Sequence, residues 1–189
     1  MRLTLLVKIL FLNVAVVVLA ISGMTWTWGG SGKHHSLTPI LDDKAIFAIF
    51  EQFNTYDIEL ANIAAIKGES DSVRHLAGMI ITDHPKLQQQ ARDLAAKLGI
   101  SYAVTVSNHY ASEHQRQVAE LQAKSGTDFD KAYLKHEIRF SREVVHSVKH
   151  KLIPAAQHQE LKQLLSETLP QLEHHVAHMI DTAEQIGMD

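Results

Sequence analysis

Cysteine is absent from the 189-residue chain. That excludes disulfides, thiolate metal ligands, a cysteine nucleophile and a lipid-modified N-terminal cysteine. Proline and glycine are scarce, at four and nine residues, so long uninterrupted elements are expected. Charge of one sign is lacking too. Eighteen Lys and Arg stand against 21 Asp and Glu, a formal net charge of −3, which is no electrostatic footprint for nucleic acid. There is no glycine-rich phosphate loop, no His-Glu-x-x-His and no Gly-x-Ser-x-Gly elbow. No stretch reads as a strand, and no internal repeat recurs at a fixed period. What is present is a hydrophobic content of 46%, enough for a sizeable core, and an excess of histidine, 13 residues. Several of these can gain protons between neutral and mildly acidic pH, so the net charge can change sign in that range.

The N-terminus has the layout of an export leader. Met1, Arg2 and Lys8 form a basic start, and Ile9–Ala20 is apolar except for Asn13. Ala20-Ile21-Ser22 places small residues at the two cleavage-determining positions. Residues 1–22 therefore read as a signal peptide, and residues 23–41, with Gly29–Ser36 at their centre, as a flexible linker. The competing reading is an inner-membrane anchor over residues 9–25, which approaches the ~17-residue lower limit for a spanning helix. Trp26 and Trp28 would suit the interface. Either way the domain over 42–187 is expected in the periplasm or cell envelope, touching a membrane only through this segment.

From there the period is helical. Asp42 and Asp43 can cap and charge a first helix, along which Ile46, Phe50, Phe53, Leu60 and Ala64 recur to about Lys67. Tyr56 and Ile63 widen its stripe and Glu59 borders it. Gly68, Ser70 and Asp71 supply a stop and a new cap. The second helix carries Val73, Ala77, Ile80, His84, Leu87, Ala91, Leu94 and Leu98 on one face and ends at Gly99. Pro85 predicts a bend in it. Ile100–Val106 reads as an extended connection and Asn108–Lys124 as a weaker helix with Tyr110, His114, Val118 and Leu121. Thr127 or Asp128 is expected to cap the next helix, faced by Phe129, Tyr133, His136, Phe140, Val144, Val148 and Leu152 and stopped by Pro154. The last helix runs from about His158 to Ile186, with Leu161, Leu165, Thr168, Leu172, His175, Met179 and Ala183 along its seam and a kink at Pro170. Two helical hairpins joined by a long crossover with a short helix of its own predict an all-α, ferritin-like four-helix bundle. A plain five-helix bundle is the alternative.

Three seams carry a histidine where an aliphatic residue is expected: His84, His136 and His175. The first helix offers Glu59, and Asp57 close by. Carboxylates and imidazoles converging inside a bundle are how such folds hold iron, manganese or zinc. Glu59, His84, His136 and His175 are thus the candidate ligands. Against this, a buried histidine often only hydrogen-bonds a neighbour, here Tyr133, Asp83 or a carbonyl freed by a proline. The one Glu-x-x-His, Glu143-Val144-Val145-His146, shares a face with Arg139 and His150 away from the seam and reads as solvated surface. His174 and His178 also fall off the seam. Met79, Met179 and Met188 read as packing rather than as copper ligands.

Four ordered segments carry a family resemblance: Ile58-Glu59-Leu60-Ala61, Met79-Ile80-Ile81-Thr82-Asp83-His84, Phe129-Asp130-Lys131-Ala132-Tyr133 and Leu169-Pro170-Gln171-Leu172-Glu173-His174-His175. With them the chain resembles, from about Asp43 to Ile186, the bacterial domain of unknown function 4142. Members of that family are described as outer membrane proteins and grouped with the ferritin-like folds. The resemblance implies an envelope protein with a four-helix core and no assigned activity. It places the family's acidic position on Glu59, its Asp-His on Asp83 and His84, and its late histidine on His175. A further family histidine falls on Ser141, so one potential ligand is missing unless His136 substitutes.

Two functional classes follow. One is an exported, non-catalytic bundle with a structural, adaptive or partner-binding role, the partner being an envelope protein. The other is a metal-binding ferritin-like protein with a mononuclear or incomplete di-metal site. A pH-responsive binder using the histidine excess is a third, lesser reading.

Overall fold

The computed structural model describes residues 41–104 and 108–188, with the side chains of 108–110 excepted. The leader (1–22) and all but residue 41 of the linker lie outside the described residues. The elements are all helical: α1 (Asp43–Lys67), α2 (Asp71–Lys97), α3 (Asn108–Gln122), α4 (Gly126–Ser147), a π-helical turn (Val148–Leu152), the short α5 (Ile153–Ala155) and α6 (Gln159–Gln185). Helices α1 and α2 form one hairpin and α4 and α6 the other. Contacts of α2 with α6 and of α1 with α4 close the four-helix bundle, and α3, carried by the crossover, lies against α1 and α4. Among the described residues no strand occurs, and no helix is long and apolar enough to cross a membrane.

The hairpin turns are pinned by buried carboxylates. Asp42 caps α1 by accepting from the Ala45 N–H at 2.8 Å. Asp43 instead reaches across the bundle and accepts the backbone N–H groups of Gln157 (2.6 Å) and His158 (2.9 Å). Burial alone would raise its pKa, but these bonds and the His158 ring hold it below the ordinary value. At the opposite hairpin Asp130 accepts the N–H groups of Glu69 (2.9 Å) and Ser70 (2.8 Å), tying the α1–α2 turn to α4. Gly68 is required there because a Cβ would stand 2.7 Å from the Ala64 carbonyl oxygen.

Two sequence expectations change. The cap of α4 is Ser125, with Gly126 at φ 60° opening the helix, and not Thr127 or Asp128. Pro154 also does not stop α4 outright. The Ile153 N–H donates to the Val148 carbonyl, five residues back, and helical backbone continues through the proline to Ala155. A wider π turn just ahead of a residue without an N–H absorbs the donor it lacks. Pro85 and Pro170 lie within unbroken helices.

The core is divided lengthwise. One apolar cluster gathers Ile46–Phe53 of α1, Leu87–Ala95 of α2, Val144–Leu152 and Leu161–Leu172; the other gathers Leu60–Ala64, Val73–Ile80, Phe129–Leu134, Met179 and Ala183. The buried polar residues Asn54, Asp57, His84, Glu137, Ser141 and His175 fall between these ranges on every one of the four helices. A polar layer therefore separates two apolar halves.

Candidate functional site

Each of the four helices sends a side chain into that layer because its apolar stripe is interrupted there by a polar residue. On α1, the step from Phe53 to Leu60 passes through Asp57, which lies four residues beyond one and three before the other. On α2 and α6 the same positions are His84 and His175, and on α4 they are Glu137 and Ser141.

Three of these groups line up with Asp83, the residue before His84. Asp57 Oδ2 stands 3.3 Å from His84 Nδ1. His84 Nε2 stands 3.3 Å from His175 Nδ1, and His175 Nε2 stands 3.3 Å from Asp83 Oδ2. Asp57, His84 and His175 are only 4%, 3% and 2% exposed. At Asp83, whose side chain is 27% exposed, the chain meets solvent, with Lys86 Nζ donating at 3.1 Å.

Electrostatics sets the protons along it. Burial pushes the Asp57 carboxyl up to about 8 and the His84 imidazole down to about 3, the latter also through the charge of His175. His175 is lowered by burial, which Asp83 opposes. Burial works against Asp83 ionising, yet hydrogen bonds from Lys86 and His175 hold its carboxyl below the ordinary range. One proton arrangement then satisfies the two hydrogen bonds. The ionised Asp83 accepts from His175 Nε2–H, which leaves His175 Nδ1 to accept from His84 Nε2–H. His84 Nδ1 is then left with its lone pair, near Asp57 Oδ2 but not hydrogen-bonded to it.

Beside Asp57 lie Glu137 and Tyr133, both 0% exposed. Neither Glu137 oxygen, nor Asp57 Oδ1, nor the Tyr133 hydroxyl has a hydrogen-bond partner, and the same holds for His84 Nδ1 and Asn54 Oδ1. Burial, and then the charge of Asp57, raises the Glu137 carboxyl well above its ordinary range. Burial, with the Glu137 and Asp57 charges behind it, does the same to Tyr133. An unpaired buried carboxylate is costly, so the neutral acid is the form the core favours. A cavity of about 10 Å³, close to the minimum for one water, opens between Asp57, His84, Ser141, Val144, Leu172 and His175.

Of the four expected ligands, then, the structure joins His84 with His175. Glu59 and His136 stand elsewhere, on two adjoining hollows beside α3 that share Tyr56 and His114. The Glu59 side chain is 53% exposed, and its Oε2 lies 2.8 Å from His114 Nε2. The His114 ring stacks on Tyr56 with centroids 3.9 Å apart. His136 stacks on Phe140 and faces the Arg139 guanidinium at 3.4 Å; burial, then the Arg139 charge, lowers it to about 4. The cleft lined by His136 has a volume of about 350 Å³ and includes Glu113 and Glu143 in its wall. Among the described residues no three His, Asp or Glu are gathered so as to hold one metal ion.

Asp57, which the sequence offers only as a neighbour of Glu59, is the member that reaches the layer; Glu59 lies two residues on and therefore on another face. Glu137 is the one residue of the site that the apolar pattern does not single out. From Tyr133 a step of three leads to His136 and a step of four to Glu137, and the helix buries both.

Comparison with known proteins supports the fold and names a family. The chain is similar to the crystal structure of a DUF305 fragment from Deinococcus radiodurans, with a TM-score of 0.67 at 16% identity, over 78% of this chain and 97% of that one. At that identity the likeness speaks for the fold alone. No curated protein matches the chain. Residues 31–182 match the family described as Domain of unknown function (DUF4142), and the chain belongs to that family.

Proposed function

We propose that this chain is an exported cell-envelope protein whose helical bundle has a structural or partner-binding role and not a catalytic one. Export is supported by the leader pattern of residues 1–22, with residues 9–25 acting as an inner-membrane anchor if the leader is retained. The observation that carries the non-catalytic reading is the closure of the interior chain. Asp57, His84 and His175 are at most 4% exposed, so no substrate reaches them. Their contacts serve instead to set the register of α1, α2 and α6. An envelope protein would find its grip in the cleft, where Tyr56, Phe140 and Arg139 offer two aromatics and a cation. The test is fractionation of cells making the full chain without a tag, with N-terminal sequencing of the product. Recovery from the periplasm or envelope supports export; a cytoplasmic chain beginning at Met1 refutes it.

A second reading, binding of iron, manganese or zinc, is favoured by one observation: both Glu137 oxygens and Asp57 Oδ1 are buried without a partner beside His84. His84 and His175 would then add nitrogen donors, while Glu59 and His136 would serve the two hollows beside α3. Elemental analysis of untagged protein from its native compartment separates the two readings. Stoichiometric metal that is lost in Glu137→Gln and in His84→Ala supports this one. Metal near zero, or unchanged by either substitution, leaves the first.

A further inference from the structure

Outside the polar layer, the outward face of α6 carries His174 and His178, one helical turn apart. Their Nε2 atoms lie 3.0 Å from each other, with ring centroids at 4.4 Å and planes at 89°. Among the described residues, each of these nitrogens has the other as its hydrogen-bond partner and no carboxylate beside it. His174 is exposed and His178 half-buried, so the pair is open to solvent yet held on the middle of a 27-residue helix. Residues four apart on a helix face one way, and two imidazoles so placed can share one cation through deprotonated nitrogens.

The separation selects the geometry. With metal–nitrogen bonds of ~2.0–2.1 Å, nitrogens 3.0 Å apart subtend an angle of roughly 91–97° at the metal. That is near the right angle between neighbouring positions of a square-planar or tetragonal site and short of the tetrahedral angle zinc prefers. The pair is open to solvent, so water can fill the remaining positions.

We infer that His174 and His178 form a solvent-facing two-histidine site for a divalent transition metal of tetragonal preference, copper(II) or nickel(II). This site stands on its own geometry and does not rest on the interior reading.

The test is titration of the full, untagged chain with copper(II) alone, followed by calorimetry and electron paramagnetic resonance. His34, His35, His146 and His150 can add sites of their own, so the comparison is between variants. His174→Ala and His178→Ala should each weaken one equivalent of bound copper by about tenfold or more and remove a nitrogen from its axial spectrum. Because both positions are open to solvent, far-ultraviolet circular dichroism and the melting temperature should not move. His178→Gln, which keeps the bulk and a hydrogen-bonding tip, should lose the equivalent too. His84→Ala should keep it, which separates this site from any in the interior. Full retention of copper equivalents and affinities in His174→Ala and His178→Gln would overturn the assignment, as would loss of the equivalent in His84→Ala alone.

Discussion

His84 and His175 meet in the middle of the bundle, Nε2 to Nδ1 at 3.3 Å, with ring planes 18° apart, although 91 residues separate them in the chain. His175 spends its second nitrogen on half-exposed Asp83, while the second nitrogen of His84 stands 3.3 Å from buried Asp57. The coupling follows from burial: with water excluded, His175 is the one hydrogen-bond partner His84 has among the described residues.

Replacing one ring should cost more than replacing both. His84→Leu or His175→Leu leaves a buried nitrogen without its partner, a loss of about 1–3 kcal/mol. The double variant puts two aliphatic residues on seams that already run aliphatic and should lie near the wild type. Urea denaturation of the four-member cycle measures this. A double variant as unstable as the sum of the singles would show the rings to be independent.

Stability should fall between pH 6.5 and 8. The Asp57 carboxyl titrates near 8 in the folded chain against an ordinary 3.8, so the folded state keeps a proton that the unfolded state has lost. The stability held by the neutral acid is complete below the unfolded pKa and is lost as pH rises through the folded one. Glu137, also raised, acts in the same sense. His84 and His136, lowered from 6.5 to about 3 and about 4, oppose them only below pH 6.5, where the unfolded imidazoles take up protons. Melting temperatures across pH 6–9 should therefore decline for the wild type and decline less steeply in Asp57→Asn, where Glu137 still acts. A wild-type curve that rises over that interval would contradict the assignment.

Asp130→Ala should destabilise the bundle by about 2 kcal/mol, since hydrogen bonds to a charged acceptor contribute ~1.5–3 kcal/mol and the freed N–H groups of the turn regain some water. Asp130→Asn should recover part of the loss. Guanidinium midpoints would report both, and an alanine variant within error of the wild type would mean that the α1–α2 turn holds without α4.

Two glycines should respond to alanine with opposite signs. At Gly68 the new methyl would press on the Ala64 carbonyl at 2.7 Å and on Val73 Cγ1 at 3.1 Å, forcing the hairpin apart. At Gly78, on the exposed face of α2, nothing lies within 4 Å, and alanine should add about 0.5–1 kcal/mol through helix propensity. Thermal melts of the two single variants compare them directly.

The helices, their partners in hairpins and the inward place of His84 and His175 follow from the chain alone. A period of 3.6 names the buried face of each helix whatever packs on it, and Gly68 with Ser70 marks a turn that can only fold back. Position along that face is local information too, which is why Asp57, sitting where the α1 stripe lacks a member, was there to be read.

Which polar residues meet was decided in three dimensions. Glu59 and Asp57 are two residues apart and so face different ways, and only the docking of α3 gives Glu59 its partner in His114 and draws His136 toward the cleft. The joining of Asp57, His84, His175 and Asp83 depends on the relative height of α1, α2 and α6. That height is set by the packing of two apolar clusters and by the turns Asp43 and Asp130 hold, and no periodicity within one helix records it.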